Sequence, residues 1–157
     1  MGSLISDRYS SDAMREIWSL ENKYRLEREL WILVMTAQSR SGFDIPESAI
    51  LDYQKVKNRI DIDSIASREA ILRHDVKARI EEFNALAGHQ FIHLGLTSRD
   101  VTDNVELLQI RNSLTLILKN SEALLNRLAD LAEKYSELAM VGRTHNVPAQ
   151  VTTLGKR

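Results

Sequence analysis

The sequence predicts an all-α protein, and three observations carry that prediction. Breakers are scarce: the 157 residues include only 6 Gly and 2 Pro, far fewer than the turns of an all-β chain of this size need. Helix formers (Leu, Ala, Glu, Arg, Lys and Ile) dominate instead. Apolar residues recur at steps of three and four over most of the chain, the spacing of one helix face.

The elements follow in order. Residues 11–18 read as a short helix, with Ser10 or Ser11 as its cap and Asp12 near the positive end of its dipole. Residues 19–39 form a stronger one, with Leu20, Tyr24, Trp31, Val34 and Met35 on one face. Arg40, Ser41 and Gly42 close it, and Gly42 suits a left-handed stop. Pro46 falls in the first turn of a helix running to about Lys57. Residues 62–73 carry Ile62, Ile65, Ala66, Ile71 and Leu72 at helical spacing. Asp75–Ala87 has the stripe Val76, Ile80, Phe83 and Leu86 or Ala87, and Gly88 ends it. The segment HQFIHLGLTSRD reads as a loop, and Ser98 within it caps the longest element.

From Asp100 to about Tyr135 there is neither Gly nor Pro. Leu107, Ile110, Leu114, Ile117, Leu124, Leu128, Leu131 and Tyr135 alternate steps of three and four, with Ser121 the polar occupant of the seam. This heptad pattern expects a partner helix. At 1.5 Å per residue such a helix spans roughly 54 Å. A domain of this length has a radius of gyration of only about 15 Å, so the helix outreaches it. Gly142–Gln150 reads as a loop containing Pro148, and Thr152 or Thr153 as the cap of a further helix.

Composition narrows the function classes. Apolar residues make up 43% and charged residues 27%, the balance of a folded domain rather than a disordered one. Lys plus Arg total 21 and Asp plus Glu 22, so a net charge of -1 gives no footprint for a nucleic-acid partner. The absence of cysteine excludes disulfides, zinc ribbons and a thiol nucleophile. No apolar run reaches the length of a membrane span, so no membrane partner is expected. The opening MGSLISDRYSSD lacks a basic region followed by an apolar stretch, which leaves the cytoplasm as the expected location. Met1-Gly2-Ser3 reads equally as native or as left by cloning.

Chemistry concentrates at element boundaries. Of the 4 histidines, His74, His93 and His145 sit beside small polar or charged residues, within Arg73-His74-Asp75, His93-Leu94-Gly95-Leu96-Thr97-Ser98 and Arg143-Thr144-His145-Asn146. Histidine suits proton transfer to a leaving group near neutral pH. A Thr-Ser pair at a helix start offers hydroxyls and free N–H groups to a carboxylate or phosphate. Neighbouring arginines add charge for anionic substrates. Each feature also has a plainer reading: an exposed loop histidine, an N-cap, ordinary helix packing in the seam. His89 and His93 have the spacing of half a metal site on a helix, but Gly88 and Gly95 argue against a helix there and no third ligand completes the set. Composition and spacing alone stop at a helical domain with polar loops.

Four segments go further. His93–Asn104 (HLGLTSRDVTDN) resembles the first signature of the fumarase/aspartase superfamily in its adenylosuccinate lyase form. Gly142–Arg157 (GRTHNVPAQVTTLGKR) resembles the second, its TTLGKR ending above all. Asp7-Arg8-Tyr9-Ser10 with Ile17-Trp18-Ser19 is similar to that family's N-terminal segment, and Arg73-His74-Asp75-Val76 to its first active-site histidine segment. Order and spacing match as well, over essentially the whole chain.

The resemblance implies a β-elimination that releases fumarate from adenylosuccinate to give AMP, and from a succinylated carboxamide ribotide of purine synthesis. It implies no metal and no organic cofactor. It implies His145 as general acid, with His74 assisting and holding the substrate. It also implies that Thr97 and Ser98 bind a succinyl carboxylate, that Thr144 contacts substrate beside His145, and that His93 lies near the phosphate region. It further implies that Arg8 and Tyr9 contact the nucleotide phosphate and base, that Arg73 beside His74 and Asp75 belong to the substrate-binding set, and that Asp75 partners a histidine. Val147 stands where much of the superfamily has Gln. The family's Gly-Ser-Ser-x-Met-Pro loop, which bears the serine assigned as general base, has no counterpart in the chain. The family assembles homotetramers in which each site draws on three subunits. The expectation is therefore an N-terminal helical domain over 1–103, the start of a long central bundle over 104–157, and little turnover from this chain alone. The alternatives are another lyase of the superfamily or a non-catalytic helical oligomerisation module.

Overall fold

The computed structural model describes residues 4–157; the Met1-Gly2-Ser3 opening lies outside the described residues. The described chain is helical, with one hairpin after the last helix. Its elements are α1 (Leu4–Tyr9), α2 (Asp12–Ile17), α3 (Leu20–Arg40), α4 (Glu47–Val56), α5 (Ile62–Leu72), α6 (Asp75–Ala87), α7 (Ser98–Lys134), β1 (Ala139–Thr144) and β2 (Val147–Thr153).

Helix boundaries follow local chemistry. The Ser11 hydroxyl accepts from the Met14 N–H at 3.2 Å to open α2, and Ser19 accepts from Asn22 at 3.1 Å to open α3. Asp61 does the same for α5 through Ser64 at 2.9 Å. Pro46 is the residue before α4, where its missing N–H costs no helical bond. Gly88 closes α6 at φ +75° with its N–H on the Asn84 carbonyl.

The chain divides into two compact units, one up to Ser113 and one from Leu114 to Arg157. The first has its core where α3, α4 and α6 meet: Trp31, Met35, Tyr53, Val76 and Phe83 are all but inaccessible, and Val101 of α7 joins them. Two buried ion pairs join α3 to α6. Arg28 pairs with Glu82 and also donates to the carbonyls of Val56, Lys57 and Arg59 at 3.2, 3.0 and 3.0 Å. Glu82 in turn accepts from the Asp61 N–H at 3.2 Å. The pair thus holds the connection between α4 and α5 from inside. Glu27 and Arg79 make the second pair, at 2.6 Å.

The start of α7 packs through Val101, Val105, Gln109 and Ser113, spaced four apart. Gln109 donates to the Ile17 carbonyl at 2.8 Å, and the Trp18 indole donates to the Ser113 hydroxyl at 3.0 Å, tying α2 to α7. The seam residues Leu107, Ile110, Leu114, Ile117, Leu124 and Leu128 are exposed.

In the second unit the expected loop at 142–150 is a β-hairpin. β1 and β2 pair antiparallel from Ala139↔Thr153 to Thr144↔Val147, with an irregularity between Val141 and Arg143. The two-residue turn is His145-Asn146, at φ +46° and +63°, as a type I′ turn requires. Pro148 pairs opposite Arg143 at the irregularity, a place where a strand tolerates proline. The segment after β2 is a turn rather than a new helix. The Leu154 N–H donates to Leu138 and the Gly155 N–H to Tyr135, both at 2.9 Å, folding it onto the end of α7.

Candidate active site

Arg73 is the corner between α5 and α6. It adopts φ +53°, with its N–H on the Glu69 carbonyl at 2.8 Å. This corner makes His74 the N-cap of α6. Its Nδ1 accepts the Lys77 N–H at 3.3 Å, so the proton of the neutral ring is on Nε2. Asp75 follows, with one carboxylate oxygen 3.7 Å from His74 Nδ1 and the other accepting from Arg79 at 3.0 Å. Partial burial pushes the Asp75 carboxyl up. The Val76 N–H and the Arg79 guanidinium outweigh that and leave it below the usual carboxylate value.

His93 lies in the loop before α7, at φ +64°, two residues from Gly95 at φ +71°. The buried Trp31 indole donates to its Nδ1 at 3.1 Å, and the two rings meet edge to face at 87°. Burial lowers the affinity of His93 for a second proton; Asp100 opposes this, and the charges of His74 and Lys77 reinforce it. Charges from the first turns of α6 and α7 therefore both act on this ring. Thr97 precedes α7 and its N–H donates to Asp100 at 2.7 Å, leaving Ser98 as the first helical residue.

The structure thus brings Arg73, His74, Asp75, His93, Thr97 and Ser98 to the N-terminal ends of α6 and α7. Arg8 and Tyr9 stand exposed at the end of α1. Thr144 and His145 belong to the second unit, exposed at the hairpin turn. A groove on that hairpin is lined by Arg143, Thr144, Gln150, Thr152, Lys156 and Arg157, a cationic and hydroxyl-bearing surface. Among the described residues, the non-glycine positions with positive φ are Arg73, His93, His145 and Asn146. All four lie in the signature segments, and such conformations persist only where surrounding structure enforces them.

In the sequence Trp31 is one residue of a core stripe, and the signal that it supports the site is that a buried indole N–H needs an acceptor. Lys77 and Arg79 were missed, because an exposed lysine and a charge inside an apolar stripe carry no motif. The His89/His93 metal pair does not form. His89 Nε2 faces Asp52 Oδ2 at 3.0 Å, while His93 Nδ1 is occupied by Trp31. No cluster of three or more His, Asp or Glu suited to a metal occurs among the described residues, nor is any helix there long and apolar enough to cross a membrane.

Known proteins with similar sequences and folds fit this picture. An adenylosuccinate lyase of Saccharomyces cerevisiae is 39% identical over 98% of this chain, which spans 33% of that enzyme. An N-acetyl-S-(2-succino)cysteine lyase of Enterococcus italicus is 31% identical over 97% of this chain and 34% of its own length. The crystal structure of a fumarate lyase from Mesorhizobium sp. BNC1 superposes with a TM-score of 0.78 at 30% identity, over 92% of this chain and 35% of that one. The chain therefore spans about a third of the length of the relatives it matches. Residues 7–157 match the sequence model described as Lyase. The chain belongs to this lyase family and, within it, is similar to adenylosuccinate lyases.

Proposed function

We propose that this chain is the N-terminal part of an adenylosuccinate lyase, a carbon–nitrogen lyase that releases fumarate from adenylosuccinate. The observation that carries the reading is that two of the matched signature segments form helix starts, His74 capping α6 and the His93 loop leading through Thr97 into Ser98 of α7. Helix N-termini with free N–H groups and hydroxyls favour carboxylates and phosphates, the charged groups of a succinyl nucleotide. Similarity to the yeast enzyme over nearly the whole chain supports the same reading.

In the proposed reaction a base from elsewhere in the longer protein removes a proton from the succinyl Cβ. Electrons collect on the adjacent carboxylate, which Thr97 and Ser98 hold. The C–N bond then breaks and His145 protonates the departing nitrogen, with His74 assisting. Arg8 and Tyr9 contact the nucleotide, Thr144 the substrate beside His145, Arg73 the substrate beside His74, and Asp75 steadies a histidine. No cofactor enters. The proposal includes a domain boundary near residue 103, a homotetramer built through the seam of α7, and a cytoplasmic location.

The test is fumarate release from adenylosuccinate by the longer polypeptide and by this chain alone. The longer protein turns over. The chain alone loses the base, which is worth about 10²–10⁴ in rate, together with the subunit contacts. A second reading rests on the Enterococcus relative, whose name places a sulfur rather than a nitrogen leaving group on the succino unit. Product analysis with both substrates separates the two.

A further inference from the structure

We infer that Trp31 is a positioning residue for His93: its indole N–H, delivered from the core, fixes the imidazole as the Nε2–H tautomer, so that His93 meets an anionic ligand as a hydrogen-bond donor.

Trp31 is 1% exposed in the middle of α3, so its N–H cannot be satisfied by solvent. Its acceptor is His93 Nδ1 at 3.1 Å. An indole nitrogen only donates, so Nδ1 must present its lone pair and the ring proton must sit on Nε2. The loop geometry holds the ring in place, with His93 at φ +64° and the indole edge-on to the imidazole at 87°. A second proton on His93 would displace the Trp31 N–H from Nδ1 and leave a buried donor unpaired. The charges that act on the ring are those of Asp100 from α7, which favours a second proton, and of His74 and Lys77 from α6, which oppose one. Trp31, from α3, brings no charge. His93 is thus built to donate from Nε2 toward a phosphate or carboxylate, and not to act as the proton source for a leaving group. That role toward substrate rests on the lyase reading; the tautomer does not.

The test uses the full 157-residue chain with ¹⁵N-labelled histidine and long-range ¹H–¹⁵N correlation, His93 being assigned by H93Q. The expected result at pH 7.5 is an unprotonated Nδ1 and a protonated Nε2 on His93. The Trp31 indole proton should shift with the same midpoint as His93. Trp31→Phe keeps the ring and removes the donor. It should raise the His93 midpoint by about half to one pH unit, the equivalent of one hydrogen bond, and mix the tautomers. An Nδ1–H tautomer in the unaltered chain overturns the inference. So does a Trp31→Phe chain whose His93 midpoint and tautomer are unchanged. Should that variant fail to fold, the tautomer of the unaltered chain and the co-titration of the indole decide the matter alone. Absence of lyase turnover in the longer protein, with the Nε2–H tautomer present, overturns the substrate role and leaves the tautomer standing.

Discussion

Arg79 holds the Asp75 carboxylate at 3.0 Å, one residue from His74, while its Nε lies 2.6 Å from Glu27 in the core. Glu27 is fully buried, and burial raises its carboxyl above the usual value against the pull of Arg79. Removing the arginine alone leaves a buried carboxylate without a counter-ion. Arg79→Met should cost about 3–5 kcal/mol at pH 7, whereas Glu27→Met with Arg79→Met should recover most of that loss. The sign of the pH effect follows from linkage. A carboxyl whose folded pKa lies above its unfolded value stabilises below the unfolded value and loses that contribution as pH rises through the folded one. The Arg79→Met penalty should therefore shrink from pH 7 to pH 5 in urea melts. A constant penalty would show that Glu27 is not the group responsible.

Arg28 and Glu82 form the other buried pair, and here the satisfied bonds reach the backbone. Arg28→Met strips three carbonyls of their donor and leaves Glu82 uncompensated. A loss of about 3–5 kcal/mol is expected. Amide exchange should show residues 56–61 opening first. Uniform exchange across the unit would contradict the clamp.

The exposed seam of α7 makes a contrasting prediction. Ile117 and Leu124 are 51% and 59% exposed. Ile117→Lys and Leu124→Lys should change the stability of the chain by less than about 0.5 kcal/mol. Under the proposed assembly the same variants should weaken self-association in sedimentation runs. A large stability loss without a change in association would show that the seam packs within the chain.

Gly155 tests the second unit by itself. A Cβ there would fall 2.7 Å from the Ser136 nitrogen and 2.8 Å from the Tyr135 carbonyl carbon. Backbone cannot yield as a flexible side chain does, so Gly155→Ala should cost about 1–3 kcal/mol. The bond from Gly155 N–H to the Tyr135 carbonyl should be the first lost, read from its amide exchange. Unchanged protection would show that the turn has slack.

The helices were legible because their signals are local. Ser11 caps where a small polar residue precedes an apolar repeat, and Gly42 and Gly88 stop where a left-handed residue is needed, whereas α1 and the caps Ser19 and Asp61 were not read. The hairpin was not read, although its signal was present. Val141 and Thr144, then Val147, Val151, Thr152 and Thr153, are β-branched runs around a His-Asn pair suited to a type I′ turn. Gly142 and Pro148 masked that pattern as a loop. The heptad seam was visible, but the stripe that α7 buries in the first unit, Val101, Val105, Gln109 and Ser113, was not. Half of it is polar, and only the α2 contacts explain why. At the site, motif residues were readable and their supports were not. Trp31 and Arg79 act across 62 positions in one case and within an apolar face in the other, and neither arrangement leaves a pattern in the chain.

The most direct measurement is fumarate release from adenylosuccinate by the longer protein, with and without His145→Gln. Turnover is expected in the unaltered protein, with a fall of about 10²–10⁴ in the variant, as follows from loss of a positioned acid. Full turnover in the variant, or cleavage of a succino-cysteine substrate with none of adenylosuccinate, would contradict that expectation.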